Sequence, residues 1–195
     1  MKRKLHYTKL LIMMLGLWML AGCVVHSVRP FYTPELLVDV PEFIGQWTLV
    51  EGNAQEDLNK QFTFTKDTLI PPDSSGKSGV LTIHLFRIDD MLFLDLIATD
   101  PPQCNTFWWV AHVTPVHSVA KVVVAEKTLR IMPLSSSWLE GVLKSGSVIL
   151  PAIWHDAQNA HVFTASSAEW VAFLMKYGKD AEAFRLKDAF VFTKS

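Results

Sequence analysis

From Gly45 onward apolar residues recur at every second position, and a chain patterned this way must be built largely of strands with one face turned to a core. Gly45-Gln46-Trp47-Thr48-Leu49-Val50-Glu51 places Trp47 and Leu49 on one face, and Gln61-Phe62-Thr63-Phe64-Thr65 does the same with Phe62 and Phe64. Leu81, Ile83 and Leu85 share a face in the next run, as do Leu92, Leu94 and Leu96 after it. The breaks are rich in turn formers: Pro71-Pro72-Asp73-Ser74-Ser75-Gly76, then Asp89-Asp90, then Asp100-Pro101-Pro102. Further strands are expected over 107–112, 116–125, 128–134, 160–164 and 189–193, with a hairpin at Glu126-Lys127 joining the second and third of these.

Two amphipathic helices are expected in the C-terminal third. Ser137-x-x-Glu140 reads as a capping box before Trp138, Leu139, Val142 and Leu143, with Gly146 at the exit. Ser166-x-x-Glu169 reads the same way before Trp170, Phe173, Leu174 and Tyr177, with Gly178 at the exit. Both are too short to stand alone and must pack on the sheet, which explains why 92–97 and 119–124 are apolar on both faces. Consecutive antiparallel strands with exposed edges invite aggregation, and closing the sheet removes those edges. The expected fold is mainly β: an antiparallel up-and-down barrel of about eight or nine strands with two short helices. Its interior would be filled by Trp47, Leu49, Phe62, Phe64, Leu81, Ile83 and Leu85, or would hold one small ligand.

The N-terminal segment has a different grammar. Lys2, Arg3, Lys4 and Lys9 precede an apolar run over 10–20, and the segment ends in Leu20-Ala21-Gly22-Cys23. Those three regions in that order describe a secretory signal peptide, and the run is shorter than the roughly 20 residues a spanning helix needs. Leu-Ala-Gly-Cys resembles a bacterial lipobox, which implies lipidation of Cys23 and removal of residues 1–22. Val24 stands where inner-membrane retention in Gram-negative lipoproteins wants an aspartate. The resemblance therefore implies the periplasmic face of an outer membrane. Pro30, Pro34 and Pro41 punctuate the next stretch, so 23–40 is expected to be a tether and 41–195 the single barrel domain. Such a tether could reach roughly 55 Å if fully extended. Phe31, Tyr32, Leu36 and Leu37 are too apolar for a purely solvated linker, so part of it is expected to lie on the domain.

Charge narrows the partners. Residues 1–22 hold four of the 18 basic residues and none of the 19 acidic ones, so the remaining 173 residues carry a net charge of −5. That excludes the basic stripe of a nucleic-acid binder and leaves membrane attachment to the acyl chains. With Cys23 modified, Cys104 is the one remaining cysteine, so no internal disulfide forms and stability must come from packing.

Gly45-x-Trp47 at the head of an up-and-down meander, with a late helix, resembles the lipocalin and fatty-acid-binding (calycin) superfamily. The resemblance implies that Trp47 plugs the closed end of the barrel. There is no Thr-Asp-Tyr turn motif, and Lys194 stands where lipocalins place a partner arginine on the last strand. A wider resemblance, to uncharacterised bacterial lipoproteins of similar length, rests on Phe93-Leu94-Asp95-Leu96, on His112 to His117 with Val119 and Val122, and on Leu129-Arg130-Ile131 leading to Trp138-Leu139. It implies no activity.

Candidate chemistry is sparse. His112 and His117 are five apart, which on one strand turns them to opposite faces, so surface or partly buried histidines are expected there and no metal is. His84, His155 and His161 stand apart from them. Gly76-Lys77-Ser78 resembles the end of a phosphate loop, but Pro71 takes the place of its first glycine and a strand follows. Asp95, between Leu94 and Leu96, is expected to face outward or to be hydrogen-bonded structurally. An enzyme would need two or more of His84, His112, His117, Asp95 and Asp156 to converge. No catalytic residue and no cofactor is expected. Trp47, Phe62, Phe64 and Trp109 are the candidate walls of an apolar ligand site, with one of Trp108 and Trp109 facing inward. The reading is a membrane-anchored, non-catalytic barrel that binds a small apolar ligand; the alternative is a filled barrel that serves a structural or protein-interaction role.

Overall fold

The computed structural model describes residues 24–52, 57–72, 79–100, 115–155 and 160–195. Eleven strands and two helices lie in the order β1 (His26–Ser27), β2 (Gly45–Glu51), β3 (Gln61–Phe64), β4 (Thr68–Ile70), β5 (Val80–Ile88), β6 (Met91–Asp100), β7 (His117–Ala125), β8 (Thr128–Pro133), α1 (Ser136–Lys144), β9 (Ala152–His155), β10 (Ala160–Phe163), α2 (Ser167–Tyr177) and β11 (Phe190–Lys194). Strands β2 to β8 pair in sequence as a meander, and β11 joins β8 to β2, closing an eight-stranded antiparallel barrel. The mainly β barrel expected from the alternation is what the chain forms. Asp89, at φ 52°, turns the β5–β6 hairpin.

Two cores share one sheet. Inside the barrel Phe43, Trp47, Leu49, Phe64, Ile83, Leu85, Leu94 and Leu129 pack together, joined by Phe62 and Leu81. Outside it, Phe86, Ile88, Met91, Phe93, Val119 and Met132 turn the other way and meet Leu139 of α1 and Trp170, Phe173 and Leu174 of α2. That second layer is why β5–β8 carry apolar residues on both faces. Helix α2 has the expected capping box, Ser166 with Glu169, and ends at Gly178. Helix α1 differs: its N-cap is Ser135, whose hydroxyl accepts from the Trp138 N–H, so the helix starts earlier than Ser137 implies.

The strands that alternation does not reveal are β1, β4 and β9. The first two are only two and three residues long. Strand β9 ends the sheet order, and its Ile153 and Trp154 are exposed, so no buried face imposes a period of two. The strand expected over 107–112 lies outside the described residues.

The segment expected to be a tether is held along its described length. Strand β1 adds to β7 at Ser27 opposite His117 and runs parallel to β10. Val25, Ser27 and Phe31 are buried, and Val38 N–H donates to Leu85 O. Its aromatic and aliphatic residues cover the outer face of β5 and β6, an apolar surface that would otherwise meet water.

Candidate functional site

An apolar cavity of about 270 Å³ occupies the half of the barrel where β2 and β6 end and β3 and β7 begin. Phe62, Phe64, Leu49, Leu69, Leu96 and Phe192 form much of its wall, and Ser118 and Asp57 supply its polar side chains. Beside the cavity the edge of β7 changes partner. Strand β8 pairs with β7 only from Ala120 onward, and β1 takes over the same edge at His117. Val24 and Val25 lie where the two partners change and line the cavity there.

The other end of the barrel is shut. Phe43 reaches in from a 3-10 turn, Pro41–Phe43, and the Trp47 indole N–H donates to its carbonyl at 3.0 Å. Lys194 Nζ lies 5.1 Å from the centre of the Trp47 ring and donates to the Glu42 carbonyl at 3.2 Å. Gly45, at φ +140°, is in a conformation other residues rarely adopt, and the Lys194 stem passes 3.4 Å from where a Cβ would stand. From this plug an edge-to-face series of rings climbs toward the cavity, Phe43 to Phe64 at 4.9 Å, Phe64 to Phe192 at 5.7 Å and Phe192 to Phe62 at 5.3 Å.

Of the four sequence-derived wall residues, the structure brings Phe62 and Phe64 to the cavity. It sets Trp47 at the closed end, away from the cavity wall. Trp109 and Cys23, the expected lipidation site, lie outside the described residues, as do His112, Asp156 and Cys104.

A polar cluster sits on the outer face of β5–β7, under the N-terminal segment. Asp95, with 0% of its surface exposed, accepts from the Phe31 N–H at 3.1 Å through one oxygen, and its other oxygen lies 2.6 Å from His117 Nδ1. His84 stands opposite Asp95 in the β5–β6 ladder, its ring 5.1 Å from that of Tyr32. Burial pushes the Tyr32 hydroxyl above its ordinary range, and the Asp95 charge adds to this. Asp95 and His117 therefore converge, two of the five residues of which an enzyme would need at least two. Asp95 does face outward from the barrel, but the layer above it seals it from water.

The contacts of this pair fasten the N-terminal segment to the sheet. Both Asp95 oxygens are engaged, and His117 is only 12% exposed. Ser27, opposite His117, is fully buried, and its hydroxyl oxygen accepts from the Trp170 indole N–H at 2.9 Å and from the Arg29 N–H at 3.1 Å. A buried carboxylate that binds a backbone N–H and an imidazole pins the segment carrying that N–H. The pair escaped the sequence reading because it needs the register of β6 on β7, and residues 101–114 separate those strands. Asp95-x-Ile97 facing outward opposite His117 was the available signal. Among the described residues, no group of three or more His, Cys, Asp or Glu side chains is placed to hold a metal ion. Nor is any described helix long and apolar enough to cross a membrane.

No family model, curated protein or solved structure matches the chain.

Proposed function

We propose that the protein is an acyl-anchored lipoprotein of the cell envelope whose calycin-like barrel carries a small apolar molecule and catalyses nothing. The observation that carries this reading is the apolar cavity left inside a barrel whose other end is plugged by Phe43 and Trp47. Ligand pockets usually run from about 300 Å³ upward, so a volume near the lower limit suits one short acyl chain or a small ring system and not a two-tailed lipid. Trp47 capped by Lys194 supports the calycin-like assignment, since lysine supplies the cation over the ring where lipocalins use arginine. Anchoring rests on the lipobox-like Leu20-Ala21-Gly22-Cys23. Each buried methylene contributes about 0.8 kcal/mol, and several chains together make attachment durable.

The ligand is tested on the chain from Val24 onward, purified from cells and analysed by native and denaturing mass spectrometry. A small lipid released on denaturation, or a melting shift with medium-chain alcohols, is expected. Leu96→Trp, which fills the cavity, should abolish either signal while the barrel still melts cooperatively. Absence of a bound species and of any shift across small lipids would leave the filled-barrel, protein-interaction alternative. The anchor is tested separately by Cys23→Ser. The thiol is the site of thioether formation and a hydroxyl is a far poorer nucleophile, so an uncleaved, unacylated precursor should accumulate. Unchanged mature mobility and membrane fractionation would remove the lipid anchor.

A further inference from the structure

The way residue 24 meets the barrel determines how an anchored protein would stand. We propose that the wall beside Val24, together with the β9–β10 hairpin, is a membrane-contact face, so that the cavity opens against the bilayer. The inference rests on acylation of Cys23.

Val24 is 46% exposed and lines the cavity, whereas Val25, Ser27 and Phe31 are buried. The fold therefore grips the chain from its second described residue. An acylated residue 23 lies one Cα step, about 3.8 Å, from Val24, and no slack remains for the domain to swing away from the lipid. The cavity wall is thereby held at the membrane surface.

The neighbouring surface suits that position. In the ladders His26 is opposite Val162, Val162 is opposite Ile153, and His161 is opposite Trp154. Val25 precedes His26 as His161 precedes Val162, so Val25, His161 and Trp154 fall in line across three strands. Two strand spacings place Trp154 roughly 10 Å from Val25. Trp154 is 52% exposed and its ring is braced edge-on by His161 at 5.0 Å, while Ile153 is 56% exposed and turns to the opposite face. A hairpin that is apolar on both faces cannot cover itself against one flat protein surface. The interfacial layer of a bilayer covers both faces at once, and tryptophan is enriched there. Among the described residues no strand pairs with the outer edge of β9; water and headgroups satisfy backbone groups there and hydrocarbon does not, so the hairpin stops at headgroup depth.

The test uses the full chain, acylated in a Gram-negative host, with Cys104→Ser and a nitroxide at either Trp154→Cys or Lys66→Cys. Lys66 lies in the β3–β4 turn on the opposite side of the barrel from β7. The protein is placed in vesicles of phosphatidylethanolamine and phosphatidylglycerol, its acylated mass is confirmed, and an unchanged melting transition shows that both variants fold. At position 154, collision with oxygen relative to a water-soluble nickel complex should exceed that at position 66 several-fold. Equal, water-like ratios in a protein of acylated mass would overturn the orientation and leave the anchor standing. A mass without acyl chains would overturn both.

Discussion

Asp95 shows how much one side chain can hold. Asp95→Ala would strand the Phe31 N–H and the His117 ring in a dry layer, and breaking a buried pair of this kind costs about 3 kcal/mol. Urea denaturation should show that loss, and Asp95→Asn, which keeps an acceptor, should lose less. A change under about 1 kcal/mol for the alanine variant would mean that the carboxylate is not what fastens the segment. His26 adds a pH dependence. Burial pushes its imidazole below the ordinary value of 6.5, so the folded state resists protonation more than the unfolded chain does. Its contribution is complete above about 6.5 and is lost as pH falls through the lower folded value. Melting temperature should therefore drop on acidification through that range, and less steeply in His26→Gln. At this scale the inward residues were legible, because Trp47, Phe62 and Phe64 announce a face through alternation alone. Which polar groups meet was not legible, since Asp95 and His117 are joined by strand register that no local pattern encodes.

Elements were legible in proportion to the face they bury. Helix α2 declares its start through Ser166 and Glu169, each bonding the other's end of the first turn. Ser166→Ala should cost about 1 kcal/mol, read as a lower melting temperature. Its far end is more demanding. A Cβ at Gly178 would stand 2.6 Å from Leu174 O and 2.8 Å from Met91 Sδ, so Gly178→Ala should cost about 2 kcal/mol through overpacking. Full stability in that variant would show that α2 can lift from β6 without loss. The N-terminal segment was legible in part: Phe31 and Tyr32 announced that it lies on the domain, whereas no local pattern announced the burial of Val25 or the pairing of β1. Each buried apolar side chain of that kind contributes about 1.5–3 kcal/mol. A chain beginning at Pro41 should therefore melt roughly 10 °C below one beginning at Val24, by calorimetry. Equal melting temperatures would mean that residues 24–40 add nothing to the stability of the fold.

For the whole molecule, alternation and the need to abolish edges were enough to indicate a closed antiparallel barrel. The outer layer was legible only in part, since its strands β1 and β9 leave no periodic trace and its order depends on β7 changing partners between β8 and β1. Closure itself has a consequence in time. The strand that shuts the barrel, β11, pairs with β2, with Thr193 opposite Thr48. It also pairs with β8, across the helices and outer strands that lie between them in the chain, whereas every other pairing in the barrel joins consecutive strands. As the chain folds the meander can therefore assemble hairpin by hairpin, but it must wait with β2 and β8 as open edges until residues 190–194 arrive. Long-range pairing of this kind is slow, and open edges are where chains aggregate. The chain is thus most exposed to aggregation during that interval, after the hairpins have formed and before the ring is closed.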